Sequence, residues 1–228
     1  MSLLVIVLGP LSTSLKRSLE KSLNPGFALI EVAFVDASAR TEWRDWDSNP
    51  SSQGLGVGKG AAGCWLAHKE AWTTANDKEY ENILILEDDA RITKYGARYL
   101  QHIVEEFMIS ELKMLHLGDH ESAVFLHPMR MVVSGNFRTI AKHFLDRIIL
   151  YPLKPRLALY RFPYSAHGYL LKKSMLPILI KNSPLFIFPV DVFLNSISQV
   201  RKNKAAAVKT PMIVQGNDRE SLINRYGR

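Results

Sequence analysis

The chain has little cysteine and no long apolar run, and both scarcities limit what it can be. Cys64 is the single cysteine among 228 residues, so no disulfide can form within the chain, which favours a reducing compartment. No stretch reaches 18 uninterrupted apolar residues. The apolar start Leu3–Leu8 is too short to span a membrane and lacks the basic residues of a signal peptide. We therefore expect a cytoplasmic protein.

Motifs that would assign the chain to another class are missing as well. Glycines recur at alternate positions in a polar stretch, but no Lys-Ser or Lys-Thr pair follows them, so this stretch is not a P-loop. These glycines are Gly54, Gly56, Gly58 and Gly60. We find no internal repeat and no low-complexity run. Apolar residues make up 47% and charged residues 22% of the chain, as is usual for a globular protein with a real core.

Basic residues are scarce in the first part of the chain and dominate the second. Residues 1–137 carry 13 Lys and Arg against 18 Asp and Glu, a net charge of −5. Residues 138–228 carry 16 against 4, a net charge of +12. This basic part favours an anionic partner, such as a phosphorylated glycolipid, a membrane surface, a nucleotide or a nucleic acid. A basic surface that serves only solubility explains the charge equally well.

Apolar periodicity predicts alternating strands and helices. Strands at residues 3–8 and 28–35 flank a helix that Ser12 or Ser14 could cap, which makes a βαβ unit. We expect a flexible or partly helical excursion at residues 121–163. The other predicted helices cover residues 61–75, 97–109, a segment ending at Lys181, and 192–200; the other predicted strands lie at 83–86, 113–117, within 164–171 and at 212–214.

The most informative segment is residues 83–89, where four aliphatic residues run directly into Glu87, Asp88 and Asp89. A short apolar run with β-branched residues is typical of a buried strand in a parallel sheet. Three adjacent carboxylates repel one another and lose solvation when buried, so they fit best in a wet crevice where they share a cation. Open α/β sheets bind ligands in such a crevice, and carboxylate oxygens suit Mg²⁺ or Mn²⁺. The alternative is a strand followed by a solvated acidic turn.

The order of several motifs along the chain resembles glycosyltransferase family 25, the lipooligosaccharide galactosyltransferases and their relatives. Residues 85–90, Ile-Leu-Glu-Asp-Asp-Ala, match the family's ILEDD segment closely. The likeness spans roughly residues 3–215, although Ala61 and Ala67 replace an acidic residue and a serine of the family pattern. The other matching segments are residues 3–8 with Arg17, Phe34–Ala37, Gly60–His68 with Trp72, Tyr164–Tyr169, Pro189–Asp191, and Pro211 with Gln215.

The resemblance implies an α/β, GT-A-like fold with a mostly parallel central sheet flanked by helices. It implies one glycosyltransferase domain over residues 1–228, in which residues 1–120 bind nucleotide-sugar and metal and residues 121–228 form a basic acceptor side. The expected reaction moves a hexose, galactose in our expectation, from a UDP-sugar to a lipooligosaccharide- or lipopolysaccharide-type glycan with inversion. Peripheral contact with the anionic cytosolic face of the inner membrane would suit both the thiol and the basic part.

Glycosyl transfer assigns roles to the acids. The departing diphosphate gains negative charge, which a divalent cation stabilises, so we expect Glu87 and Asp89 to hold Mn²⁺ or Mg²⁺. Inversion needs a base opposite the leaving group to accept the proton of the acceptor hydroxyl. Asp191 is our candidate for this base, because it is an acid in an otherwise apolar stretch. A role for Asp191 as a helix N-cap is nearly as good.

Four further residues are expected to contact the donor. Asp36 ends the second strand and could contact the nucleoside, although a turn-capping role is equally good. Asp88 lies between the two expected metal ligands. His167 stands in a turn beside a glycine and could meet phosphate or sugar. His68 could also bind the donor, but a packed, hydrogen-bonded helix histidine is commoner. Core positions are expected for Cys64, Trp65 and Trp72.

Other function classes remain open on sequence alone. A nucleic-acid or anionic-surface binding protein could use the basic part, but the basic residues are scattered and no recognition motif accompanies them, so we do not expect a nucleic-acid partner. A catalytically impaired relative that only binds donor or partner would fit Ala61 and Ala67. A magnesium-dependent phosphotransferase is a weaker alternative, because no phosphate-cradling motif accompanies the acids.

Overall fold

The computed structural model describes residues 2–33, 59–118, 157–159, 166–183, 189–200 and 203–216. The predictions made for Asp36, for the glycine-rich stretch up to residue 58 and for most of residues 121–163 lie outside these residues. The described strands are β1 (Leu3–Leu8), β2 (Ala28–Val32), β3 (Asn82–Glu87), β4 (Ala90–Ile92), β5 (Met114–His116), β6 (Leu157–Leu159), β7 (Gly168–Lys172), β8 (Ala205–Val208) and β9 (Ile213–Gln215). The described helices are α1 (Thr13–Ser22), α2 (Lys59–Asn76), α3 (Lys94–Ile109), α4 (Leu176–Asn182) and α5 (Val190–Ser198).

Seven of the described strands form one sheet in the order β2-β1-β3-β7-β5-β8-β6, and β4 pairs with β9 in a separate ribbon. Strands β1, β2, β3, β5 and β8 run in one direction, while β6 and β7 run in the other. The prediction of an α/β fold with a mostly parallel central sheet flanked by helices is therefore confirmed, and the arrangement is consistent with a GT-A-like fold.

Helices cover both faces of the sheet. Because side chains alternate along a strand, Leu4 and Ile6 of β1 enter a core with α2, α4 and α5, whereas Val5 and Val7 enter a second core with α1 and α3. All six residues of β1 and of β3 are buried, as the apolar runs predicted for residues 3–8 and 83–86, and the burial extends to the polar residues Asn82 and Glu87 as well. Within the part of the chain that the structure describes, no helix has both the length and the apolar content needed to cross a bilayer.

Capping residues explain where two helices begin. The Ser12 hydroxyl accepts a hydrogen bond from the Leu15 amide at 3.1 Å, as predicted for the first helix. Thr93 caps α3 in the same way through the Gly96 amide at 2.9 Å, so this helix begins at Lys94 rather than at the predicted residue 97. The Thr93 hydroxyl also donates to the carbonyl of Pro211, which ties α3 to the segment before β9.

Three strands were not predicted. Strand β8 consists of three alanines and a valine, and alanine has low strand propensity, so only its pairing between β5 and β6 makes it a strand. Strand β6 lies inside the stretch expected to be an excursion, and β4 is a three-residue edge pairing with β9. In each case contacts distant in sequence override the local pattern.

Candidate active site

The sheet brings the acidic segment and the predicted turn histidine together. Glu87 ends β3, and β7 runs antiparallel beside it, with Leu86 opposite Gly168. His167 therefore stands next to Glu87, and the Glu87 amide donates to the His167 carbonyl at 3.1 Å. A side chain at Gly168 would meet Ile213 of β9 at 2.6 Å, so glycine at this position allows β9 to pack close to the site.

A short ion pair joins Glu87 and His167. Nδ1 of His167 donates to Oε2 of Glu87 at 2.5 Å, and the Glu87 side chain is only 8% exposed. Burial alone would raise the pKa of Glu87, but the hydrogen bonds from His167 and His68 outweigh it and hold this pKa well below its usual value. Burial would lower the pKa of His167, yet the hydrogen bond and charge of Glu87 raise it. Glu87 is therefore ionised, and His167 is more basic than an ordinary histidine.

A buried hydrogen-bond chain approaches Glu87 from α2. Nε2 of His68 lies 3.4 Å from Oε1 of Glu87, and its Nδ1 lies 2.7 Å from the Tyr169 hydroxyl. The indole N–H of Trp72 donates to the same hydroxyl at 3.0 Å. Because a carboxylate only accepts, Nε2 carries the proton toward Glu87, and Nδ1 accepts from the tyrosine hydroxyl. The hydrogen bonds that run from Trp72 through Tyr169 and His68 therefore hold the Glu87 carboxylate in place.

Asp89 presents a carboxylate that lacks a full set of partners. Its Oδ2 accepts from the Gln215 side-chain amide at 3.0 Å, and its backbone carbonyl accepts from the Gly216 amide at 2.7 Å. Its Oδ1 is buried and has no hydrogen-bond partner among the residues that the structure describes. Burial, followed by the charge of Glu87, raises the pKa of Asp89. The ionised form is therefore short of stabilisation, as expected for a carboxylate that serves as a cation ligand.

The donor atoms of Glu87, Asp89 and His167 lie within 4.8 Å of one another, close enough to share one ion. Two carboxylates suit Mg²⁺ or Mn²⁺, and the unpartnered Oδ1 of Asp89 offers a ligand position. Both oxygens of Glu87 already accept hydrogen bonds from histidines. The residues therefore fit a divalent cation, with Asp89 the better-placed carboxylate and Glu87 a source of nearby negative charge.

Asp191 lies in the first turn of α5, where the charges of Glu87 and His167 act on it. Its pKa is raised by burial and by the charge of Glu87, and the charge of His167 partly opposes this. Its Oδ1 accepts from the Val192 amide at 2.8 Å. The N-cap of α5 is Pro189, so the capping alternative for Asp191 is wrong, although a carboxylate in this turn still favours the helix dipole.

The structure also locates Asp88 and the three residues that were expected in the core, Cys64, Trp65 and Trp72. Asp88 lies half-buried in the turn between β3 and β4. Trp65 and Trp72 are fully buried, as expected for core residues. Cys64 was expected to be a small buried apolar residue; it is partly buried and packs against the core, and its thiol also donates to Oε1 of Glu87 at 3.4 Å. Its spacing of four residues from His68 on a helix was the one signal that could have placed it at the site.

Tyr169 and Gln215 were not singled out as individual site residues by sequence reasoning. Tyr169 lies in an apolar strand, and only the register of β7 against β3 reveals that its hydroxyl meets His68. Gln215 reaches Asp89 because β9 pairs with β4.

Comparison with known proteins supplies an independent finding. A sequence model of glycosyltransferase family 25, described as an LPS biosynthesis protein, matches residues 20–194. The matched segment contains His68, Glu87, Asp89, His167 and Asp191 and covers well over half of the chain. No match was found among curated proteins.

Proposed function

We propose that this chain, which belongs to glycosyltransferase family 25, transfers a hexose from a UDP-sugar to a lipooligosaccharide- or lipopolysaccharide-type glycan with inversion at the anomeric carbon. The hexose that we propose is galactose. The family is described by its role in LPS biosynthesis, and its activity is glycosyl transfer. The observation that carries the finer proposal is the cluster of Glu87, Asp89 and His167 at the end of β3, with Asp191 near enough for the charges of Glu87 and His167 to act on its pKa.

The donor diphosphate would lie beside Asp89 and His167. A bound Mn²⁺ or Mg²⁺ supplies positive charge to the departing diphosphate. His167 is basic enough to add a protonated imidazole there, because Glu87 raises its pKa. Asp88 and Asp36 remain our proposed contacts to the rest of the donor.

His68 acts differently in this proposal from what its sequence position suggested. Its side chain has no exposed surface, and both ring nitrogens already face Tyr169 and Glu87. Direct contact with a sugar nucleotide would require this hydrogen-bond chain to break. We therefore assign His68 to positioning: it holds Glu87 ionised and oriented toward His167.

Asp191 is the proposed base. Its raised pKa makes it a better proton acceptor than an ordinary aspartate, because efficiency rises as the pKa of a base approaches the working pH. Only Oδ1 is used in the hydrogen bond with the Val192 amide. Oδ2 is the atom that would take the proton from the acceptor hydroxyl as the new glycosidic bond forms.

The basic second part of the chain is the proposed acceptor side. We propose that Arg138 to Arg161 and Arg201 to Lys209 bring the enzyme to an anionic glycolipid or membrane, each basic residue near the surface contributing on the order of 1 kcal/mol. Liposome co-sedimentation with and without anionic lipid tests this. Binding should weaken steeply with salt, because charges are screened beyond about 8 Å at physiological ionic strength. Equal, salt-insensitive partitioning to neutral and anionic vesicles would refute it.

A thermal-shift panel of nucleotide sugars, each with and without Mn²⁺, tests the donor class. A ligand that binds the native state stabilises it by mass action, by about 2.7 kcal/mol at a hundredfold excess over Kd, and therefore raises the melting temperature. UDP-sugars with Mn²⁺ should give the largest shift. If RNA binds with steep salt dependence and no nucleotide sugar shifts the protein, the nucleic-acid alternative is favoured. Donor binding without donor hydrolysis or transfer would favour the impaired relative.

A further inference from the structure

We propose that Cys64, His68 and Glu87 form a second, thiolate-containing metal site that selects Zn²⁺ or a similar soft cation over Mg²⁺. The donor atoms of these three residues lie within 4.8 Å of one another. Cys64 and His68 are four residues apart on α2, so both side chains point the same way, and Glu87 meets them from the end of β3. None of the proposed transfer chemistry uses the thiol.

Two of the distances between the donor atoms are close to those of tetrahedral zinc. With bond lengths of about 2.3 Å for sulfur, 2.05 Å for nitrogen and 2.1 Å for oxygen, tetrahedral angles separate nitrogen from oxygen by about 3.4 Å and sulfur from oxygen by about 3.6 Å. Nε2 of His68 lies 3.4 Å from Oε1 of Glu87, and Sγ of Cys64 lies 3.4 Å from the same oxygen. A zinc ion would therefore take the place of the two protons that now lie between these atoms, with little change in these two distances.

The surroundings of His68 are those of a metal-binding histidine. Such a histidine usually donates its second ring N–H to an oxygen, which fixes the ring orientation. Nδ1 of His68 lies 2.7 Å from the Tyr169 hydroxyl oxygen, and Trp72 holds that hydroxyl in place. When a metal takes Nε2, the ring proton moves to Nδ1 and is donated to this oxygen, and the Tyr169 hydroxyl proton, which now points at Nδ1, turns away from the ring. The rings of His68 and Tyr169 are also stacked, at 5.6 Å between centroids, which limits rotation of the imidazole.

Charge and ligand type set the selectivity. One thiolate, one carboxylate and one neutral imidazole together carry two negative charges, which a divalent cation neutralises in this largely buried position. Thiolate and imidazole favour zinc, whereas Mg²⁺ prefers oxygen ligands alone. Three protein ligands are typical of a zinc site in which water takes the fourth position.

Glu87 belongs to both clusters, so the two ions affect each other. Zinc bound through Oε1 of Glu87 would draw charge away from Oε2, which faces His167 and lies near Asp89. We therefore expect Zn²⁺ to inhibit a reaction that uses the Glu87, Asp89 and His167 cluster. The existence of the zinc site does not depend on the proposed transfer reaction, and its test needs no substrate.

Titration of the whole protein with Co²⁺, a spectroscopic stand-in for zinc, tests the site directly. Cobalt bound to a thiolate gives a charge-transfer absorption, and because the chain has one cysteine, that absorption can come only from Cys64. We expect one equivalent of Co²⁺ to produce the band and one equivalent of Zn²⁺ to abolish it, while millimolar Mg²⁺ leaves it unchanged. Equilibrium dialysis gives the zinc stoichiometry independently.

Three variants decide the assignment. Cys64→Ser should eliminate the band, and His68→Gln should weaken Co²⁺ binding at least tenfold. Asp89→Asn, which removes the best ligand of the other cluster, should leave the band intact. Circular dichroism confirms that each variant is folded. The proposal is overturned if saturating Co²⁺ gives no thiolate band with the unaltered protein, or if the band and its affinity survive in His68→Gln.

Discussion

Replacing Asp89 by asparagine should stabilise the metal-free protein while removing its response to metal. The donor oxygens of Asp89 and Glu87 lie within 4.8 Å, where two full charges repel by about 3 kcal/mol at an effective dielectric constant near 20. Attraction to His167 and exposure to solvent offset most of this. The remaining gain of about 1 kcal/mol corresponds to a rise in melting temperature of about 2–4 °C for a chain of this size. The amide also removes a buried charge at Oδ1, which has no hydrogen-bond partner within the described part of the chain.

Differential scanning calorimetry in chelator and then in Mn²⁺ measures both effects. The unaltered protein should melt at a higher temperature in Mn²⁺, whereas Asp89→Asn should melt at the same temperature in both buffers. Glu79→Gln is the matched control, because Glu79 is exposed, precedes the opposite end of β3 and carries the same charge. A metal-free Asp89→Asn protein that is less stable than the unaltered one, or that still responds to Mn²⁺, would refute the reasoning.

Three further predictions concern Asp191, Gly96 and the ion pair between Glu87 and His167. Asp191→Asn should lower the transfer rate by about 10²–10⁴-fold with donor affinity retained, and near-normal turnover on the true acceptor would eliminate Asp191 as the base. Gly96→Ala should destabilise by about 1–3 kcal/mol, because its Cβ would lie 2.3 Å from the Met212 carbonyl oxygen, and chemical denaturation measures this. The lowered pKa of Glu87 contributes stability above its unfolded value near 4.5, and the raised pKa of His167 contributes it below its unfolded value near 6.5. The stability lost in metal-free His167→Gln should therefore be greatest between about pH 4.5 and 6.5, and a loss that grows steadily above pH 8 would contradict the ion pair.

The sequence predicts the parts of the fold that depend on local pattern. Strand β1 and the central residues 83–86 of β3 are continuous apolar runs with both faces buried, and Ser12 caps α1 as its hydroxyl suggested. Strand β8 escapes prediction because its alanines become a strand only through pairing with β5 and β6. The start of α3 differs from the prediction for a local reason, because the Thr93 hydroxyl caps the Gly96 amide and the helix begins one turn earlier than its apolar residues suggested.

The candidate site also has a part that the local sequence predicts and a part that it does not. The apolar run into Glu87 and Asp89 places both acids at a strand end from sequence alone. The partners of these acids come from registers that no local pattern contains: Gly168 opposite Leu86 brings His167 to Glu87, and the pairing of β4 with β9 brings Gln215 to Asp89. The burial of His68, which leads us to propose positioning rather than donor contact as its role, also requires the packing of α2 on the sheet.

Isothermal titration with UDP-galactose, with and without Mn²⁺, tests the central claim most directly when the unaltered protein and Asp89→Asn are compared. We expect Mn²⁺ to strengthen donor binding to the unaltered protein at least tenfold, and Asp89→Asn to bind the donor equally weakly with and without the metal. UDP-glucose in a parallel titration separates the nucleotide requirement from the choice of sugar. Metal-dependent affinity that is unchanged in Asp89→Asn, or absent from the unaltered protein with both donors, would contradict the account.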